Sequence, residues 1–252
     1  MSYALAAALG RAMDRLTFWN IPAFIRTYEM PVPFRTFFFH GLEVWHVPGR
    51  PGGPTVLFCH GNAGHLRFPN VRRDRLLALH EAGANLWAFD YSGYGRSQGY
   101  PTEQAVYADA RAVHTLVREH HDESLPFVLF GRSLGGAVAM YLATQVQCPD
   151  TMIVESTFTS VKDVVASWTH PKMADLMNYR FDSLKRISNL QCPFYMIHGT
   201  HDRIVPYTLG EQLFEASLDG RELLAVNRAG HNDLQQTAGE VYQQTIARWL
   251  NS

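Results

Sequence analysis

Three side chains far apart in the sequence are of the right types for nucleophilic acyl chemistry. Ser133 sits in Gly131-Arg132-Ser133-Leu134-Gly135-Gly136, between the apolar run Pro126 to Phe130 and a small-residue helical pattern from Ala137 to Gln147. A serine between a strand and a helix, with glycine two places on either side, fits a nucleophile elbow. In such a turn the hydroxyl is lifted clear of the sheet and small neighbours prevent backbone collisions. The simpler reading is a serine capping an ordinary helix after a glycine turn. A serine hydroxyl is a poor nucleophile near neutral pH and needs an imidazole to take its proton and an acid to fix that imidazole's tautomer. The elbow's usual chain order places both downstream. Asp202 follows the apolar run Phe194 to Gly199, in the loop ahead of a helical pattern from Tyr207 to Ser217. His231 lies in the loop Asn227 to Asp233, after a short strand pattern from Glu222 to Val226 and before the final helix. Asp202 therefore takes the acid position and His231 the base position.

The chemistry also requires donors for a developing oxyanion. Thr55 to Cys59 reads as a strand that breaks into His60-Gly61-Asn62-Ala63-Gly64, a loop of small residues able to aim backbone N–H groups inward. The expected pair is the N–H of Leu134, next after the serine, with an N–H from this loop, assigned to Asn62. His60 precedes the serine, so it is read as shaping the loop and not as moving protons. Glu155 ends a strand near the elbow and is the alternative partner for His231, but Asp202 has the better loop position. Asp90 and Tyr91 are read as structural, since a strand-end Asp commonly satisfies neighbouring loop amides. His114, His120, His121 and His170 show no matching carboxylate spacing and are assigned to surface or core, and no metal or cofactor is expected.

With these pieces in order, the chain resembles the α/β-hydrolase superfamily from about residue 35 to the C-terminus. Within it, H-G-N-A-G at 60–64, F-D-Y-S-G-Y-G-R-S-Q-G at 89–99, P-T-E at 101–103, G-R-S-L-G-G at 131–136, E-S-T-F-T-S at 155–160, H-G-T-H-D-R-I-V-P at 198–206 and G-H-N-D at 230–233 are similar to the Bem46-type hydrolases. Those resemble in turn the eukaryotic depalmitoylating hydrolases of the α/β-hydrolase-domain 17 type. The resemblance implies Ser133 as nucleophile, Asp202 as acid, His231 as base, and Asn62 and Leu134 at the oxyanion hole. Position 65 departs from the pattern, being His where a polar residue such as Asn is expected, and its imidazole faces the pocket mouth or, in the favoured reading, solvent.

The elements that must carry these groups follow from periodicity. Strand patterns at Arg35 to His40, Leu42 to Val47, Thr55 to Cys59, Asn85 to Asp90, Pro126 to Phe130, Thr151 to Glu155, Phe194 to His198 and Glu222 to Val226 make eight. Helical patterns interleave, including Arg72 to Ala82 and a long helix from Thr102 to His120. The expected fold is α/β, a mostly parallel sheet flanked by helices with its opening hairpin antiparallel and its active groups at the C-terminal strand ends. Residues 156–190 leave room for only a small cap. There Phe158, Trp168, Met173 and Met177 are candidates for an apolar acyl-binding wall, or they pack the cap onto the sheet.

Composition narrows the function classes. The 252 residues, 46% of them hydrophobic, fit one α/β domain, and 22 basic against 23 acidic residues leave no surplus for nucleic acid. Cys59, Cys148 and Cys192 show neither a disulfide framework nor metal spacing. Met1 to Asn20 is alanine-rich with helical spacing at Leu5, Leu9, Ala12, Met13 and Leu16, has no basic segment of the secretory type, and is too interrupted by Arg11, Asp14 and Arg15 to span a bilayer. The first 30 residues are read as a helical extension, packed or in weak contact with a membrane surface through Phe18 and Trp19. The expectation is a cytoplasmic, cofactor-independent serine hydrolase acting on a small-molecule ester or thioester. A peptidase or amidase, or a non-catalytic binding protein on the same scaffold, are the alternatives.

Overall fold

The computed structural model describes residues 18, 30–68, 71–169, 174–175 and 177–252. Eight strands form one sheet: β1 (Arg35–Phe39), β2 (Leu42–Val47), β3 (Thr55–Cys59), β4 (Asn85–Phe89), β5 (Phe127–Arg132), β6 (Thr151–Glu155), β7 (Phe194–Gly199) and β8 (Gly220–Val226), in the spatial order β1-β2-β4-β3-β5-β6-β7-β8. The opening hairpin is antiparallel and joins β4 antiparallel, while every pairing from β4 to β8 is parallel. This is the α/β-hydrolase arrangement the sequence predicts.

Strands β3, β5, β6 and β7 are buried along their whole length, because helices cover both faces of a parallel sheet and leave no polar side. Alternate residues then feed two separate cores. Leu57, Leu129, Met152, Val154 and Met196 join one apolar cluster with Val106, Val113 and Val117 of α2 (Glu103–His120) and Val138 and Leu142 of α3 (Leu134–Gln145). Val56, Phe58, Val128, Phe130, Ile153 and Ile197 join the other, with Leu76 and Leu79 of α1 (Val71–Glu81) and, near the C-terminus, Ile246 and Trp249. The start of α2 is set by Thr102, whose hydroxyl accepts from Ala105 N at 3.0 Å.

Among the described residues the remaining helices are α4 (Val161–Trp168), α5 (Leu184–Ile187), α6 (Tyr207–Glu215), α7 (Leu234–Ala238) and α8 (Glu240–Trp249). The predicted single final helix is two, broken at Gly239, whose φ of 55° no helix accommodates. Strand β5 runs two residues beyond its predicted end and α3 starts three residues earlier, so one residue, Ser133, separates strand from helix. Among the described residues no helix is long and apolar enough to cross a membrane. The predicted helical extension over the first 30 residues lies outside the described residues except at Phe18 and Met30. Phe18 is buried, its ring edge-on to Tyr179 at 5.1 Å and Phe181 at 6.0 Å, so it packs on the fold.

Candidate active site

The chain reverses at Ser133 with φ 52° and ψ −119°, a conformation that costs a non-glycine residue on the order of 1–3 kcal/mol and persists only where the surroundings impose it. They do so here through three bonds: Ser133 N donates to Glu155 O at 2.8 Å, Gly136 N donates to Ser133 O at 2.9 Å, and Thr157 Oγ1 donates to the same carbonyl at 3.0 Å. The turn also needs its glycines. A Cβ at 131 would run into the carbonyl of Gly135, and one at 135 into the carbonyl of Cys59 on the neighbouring strand. Among the described residues Ser133 Oγ has no hydrogen-bond partner, so the hydroxyl is uncommitted.

Asp202 and His231 occupy the loops after β7 and β8, and they meet. His231 Nδ1 lies 2.7 Å from Asp202 Oδ2, both side chains buried. The other carboxylate oxygen, Oδ1, accepts from Ile204 N and Val205 N, each at 2.8 Å. Burial alone would raise the carboxyl's pKa, but hydrogen bonds from His198 and His231 and the backbone outweigh it and hold the group well below the usual carboxylate range. An ionised Asp202 can only accept, so the proton of a neutral His231 sits on Nδ1 and the lone pair on Nε2. The imidazole is held below its ordinary pKa, first by burial and then by the Arg132 charge, against the pull of Asp202.

Behind this pair stands a polar assembly that the sequence reading did not anticipate. Glu155 is fully buried and accepts from Arg75 Nε at 3.0 and 3.1 Å, from Arg132 Nε at 3.0 Å and from Tyr242 OH at 2.7 Å. It is thus engaged by cations and does not orient His231. Arg132, the residue before the serine, uses Nη2 to donate to His231 O at 2.7 Å and to Asn232 Oδ1 at 2.8 Å. His198, also buried, places Nε2 3.0 Å from Val205 O and 3.4 Å from Asp202 Oδ2.

The loop after β3 has an equally specific shape. The buried Arg72 directs Nη2 at three successive carbonyls, Gly61 O at 2.7 Å, Asn62 O at 2.7 Å and Ala63 O at 2.6 Å. Carbonyls turned to one side leave the N–H groups turned away from the guanidinium. Asn62 Oδ1 accepts from Tyr94 OH at 2.6 Å, and Leu134 N, first in α3, has no intrahelical acceptor. His60 is buried, its Nδ1 2.7 Å from Gly61 O and its ring 4.3 Å from that of Tyr91, which agrees with a loop-shaping side chain. Burial and then the Arg72 charge lower its pKa. Asp90 Oδ1 accepts from Leu66 N at 2.8 Å and Tyr91 OH donates to His60 O at 2.7 Å, as structural roles require.

One expectation is corrected. His65 does not face solvent: it is fully buried, with its ring edge-on to Phe68, because the tight turn at Gly95 packs against it. Of the four candidate acyl-wall residues, three lie among the described residues. Phe158 is buried in the same cluster as Leu134 and Val164, Trp168 at the end of α4 is 55% exposed, Met177 is half-buried, and Met173 lies outside the described residues. Trp168 lies four residues after the buried Val164, on the same side of α4 but in its last turn, where it is exposed.

The fold and this arrangement define an α/β-hydrolase. The family model described as "Serine aminopeptidase, S33" matches residues 53–186, more than half of the chain, and the chain belongs to that family. The matched stretch includes Ser133 and ends before Asp202 and His231. An uncharacterized protein of Mycobacterium tuberculosis is 37% identical over 210 residues, 82% of this chain and 73% of that one. Alpha/beta hydrolase domain-containing protein 17C of Xenopus tropicalis is 29% identical over 200 residues, 77% of this chain, which spans 59% of that protein. Among solved structures, an esterase of Pyrococcus furiosus superimposes with a TM-score of 0.78 at 17% identity, over 93% of this chain and 97% of that one.

Proposed function

We propose that the protein is a serine hydrolase that cleaves carboxylic esters or thioesters through an acyl-enzyme. The observation that carries the reading is the Asp202-bound imidazole of His231, tied through Arg132 to the strand that ends in the strained Ser133 turn. Ser133 Oγ attacks the carbonyl carbon as His231 Nε2 takes its proton. The hydrogen bond between the two need not be formed before substrate binds, since such bonds commonly tighten only in the substrate complex. The tetrahedral oxyanion accepts from Leu134 N and from the Arg72-braced loop, with Asn62 N as the second donor, each worth roughly a hundred- to thousand-fold in turnover. The imidazolium returns its proton to the leaving alkoxide or thiolate, and water, activated by the same nitrogen, releases the acid.

Hydrolysis of p-nitrophenyl acetate and butyrate is expected, with loss of turnover in Ser133→Ala and labelling of Ser133 by a fluorophosphonate. Equal rates in the two proteins would refute the reading. Amide cleavage is the second reading, favoured by the description of the matching family, and a panel of aminoacyl anilides set against acyl esters separates the two.

A further inference from the structure

We propose that Arg132 is a positioning residue for the reaction: its guanidinium, anchored on Glu155, clamps the backbone and neighbour of His231 to the strand that ends in Ser133. This rests on reading Ser133 and His231 as nucleophile and base. Residue 132 is the variable position of the elbow motif, and a side chain there is free to be anything the turn tolerates. Here it is a nearly fully buried cation with three hydrogen bonds shared between two of its nitrogens. Nε donates to Glu155 Oε1 at 3.0 Å, and Nη2 donates to His231 O at 2.7 Å and Asn232 Oδ1 at 2.8 Å. These bonds span sequence separations of 23, 99 and 100 residues, so one guanidinium joins β5, β6 and the loop after β8.

The geometry explains why a fork is needed. Asp202 holds the imidazole by Nδ1 alone, which sets its tautomer but leaves the ring free to swing about that bond. The backbone carbonyl of His231 is the second fixed point, and Arg132 supplies it from the residue adjoining the nucleophile. Glu155 is in turn fixed by Arg75 and Tyr242, so the clamp is braced from α1 and α8. A planar guanidinium reaches a carboxylate on one edge and two oxygens on the other, which a lysine ammonium cannot do from one rotamer. The groups acting electrostatically on the imidazole are Arg132, Asp202 and His198, so the clamp also contributes positive charge beside the ring.

The test compares wild type with Arg132→Lys, Arg132→Met and Asn232→Ala. It measures kcat and KM for p-nitrophenyl butyrate across pH 5–9, fluorophosphonate labelling and thermal unfolding. Misplacing the base by an ångström is expected to lower kcat by roughly 10- to 100-fold in both Arg132 variants, with KM within about twofold. The acid limb of kcat/KM should move up in Arg132→Met, which removes the charge, and stay in place in Arg132→Lys, which keeps it. Asn232 is exposed, so Asn232→Ala should fold normally and lower kcat by about 2- to 5-fold, which decides the matter even if Arg132→Met fails to fold. Folded variants with wild-type kcat, or a fall in kcat with an unmoved acid limb in Arg132→Met, would overturn the proposal. A wild-type protein that neither turns over the ester nor labels at Ser133 would instead defeat the hydrolase reading beneath it.

Discussion

Replacing Asp202 by Asn tests the proposed proton path at one atom. Oδ1 accepts two backbone N–H groups, from Ile204 and Val205, and only the oxygen of an asparagine amide can take over that role. The amide NH2 must then stand where Oδ2 stood, 2.7 Å from His231 Nδ1, and donate to it. That forces the imidazole proton onto Nε2, the nitrogen that has to accept the serine proton. The same NH2 also faces His198 Nε2 at 3.4 Å, whose single hydrogen is shared between Val205 O and this position in the wild type, so two donors confront each other. The fold should survive, because both backbone bonds to Oδ1 persist, with a stability loss of about 1–2 kcal/mol. Turnover should not survive: a wrong-tautomer imidazole lowers kcat by ~10⁴ in the template triad, equivalent to about 5.4 kcal/mol of barrier. The assay is single-turnover release of p-nitrophenol, normalised to fluorophosphonate-titratable sites, alongside nitrogen-15 NMR of the imidazole. The proton should move from Nδ1 to Nε2 between wild type and variant. A folded Asp202→Asn protein with kcat within tenfold of wild type at pH 7–8 would refute the reasoning.

Two further outcomes follow from the buried charges. His231 is held below the ordinary imidazole pKa of about 6.5, so it stays neutral and able to accept at neutral pH, and the acid limb of kcat/KM should fall below that value; a limb at or above pH 7 would contradict it. Glu155→Gln should destabilise the fold by about 3–5 kcal/mol in urea unfolding at pH 7, because it strands two buried guanidinium groups. Burial pushes the Glu155 pKa up but Arg75 and Arg132 hold it below the usual carboxylate range, so its stabilisation is present above the unfolded-state value near 4.3 and fades as pH falls through the folded one. The gap between wild type and Glu155→Gln should accordingly close in acid, and a gap that widens there would be inconsistent with an ionised Glu155.

The central strands β3, β5, β6 and β7 were legible because each is covered on both faces and so reads as a largely apolar run, as in Thr55 to Cys59 and Thr151 to Glu155. Asp202 and His231 could be placed at strand ends by spacing alone, and the structure joins them. Glu155 was legible as a strand-end carboxylate near the elbow, but its partners were not: Arg75 is 80 residues away and Tyr242 is 87, and no periodicity relates such positions. Arg72 and Arg75 fall in a predicted helix, where local pattern cannot distinguish a guanidinium in water from one closing on three carbonyls. The hidden signal in α1 was that Arg72 and Arg75 share spacing with Leu76 and Leu79, the side that turned inward. Exposure of Trp168 was equally illegible, because a large apolar residue at a helix end is free to project past the packed surface.

Arg132 acts on the imidazole in two opposing senses, and their relative size decides why a cation belongs there. Its charge weakens His231 as a base, and a weaker base loses driving force for taking the serine proton. Against that, the lowered pKa keeps the ring unprotonated at neutral pH, and the two bonds from Nη2 fix where the ring stands. Loss of basicity scales only fractionally into rate, whereas misplacement by about an ångström is felt at roughly a hundredfold. The positional gain therefore outweighs the electrostatic loss, provided the cation's charge is mostly met elsewhere. Glu155 meets it from the far edge of the guanidinium, and Asp202 restores the proton affinity from the other side of the ring. A neutral donor at 132 would spare the imidazole its repulsion but could not draw Glu155, and the loop after β8 would lose its connection to β6.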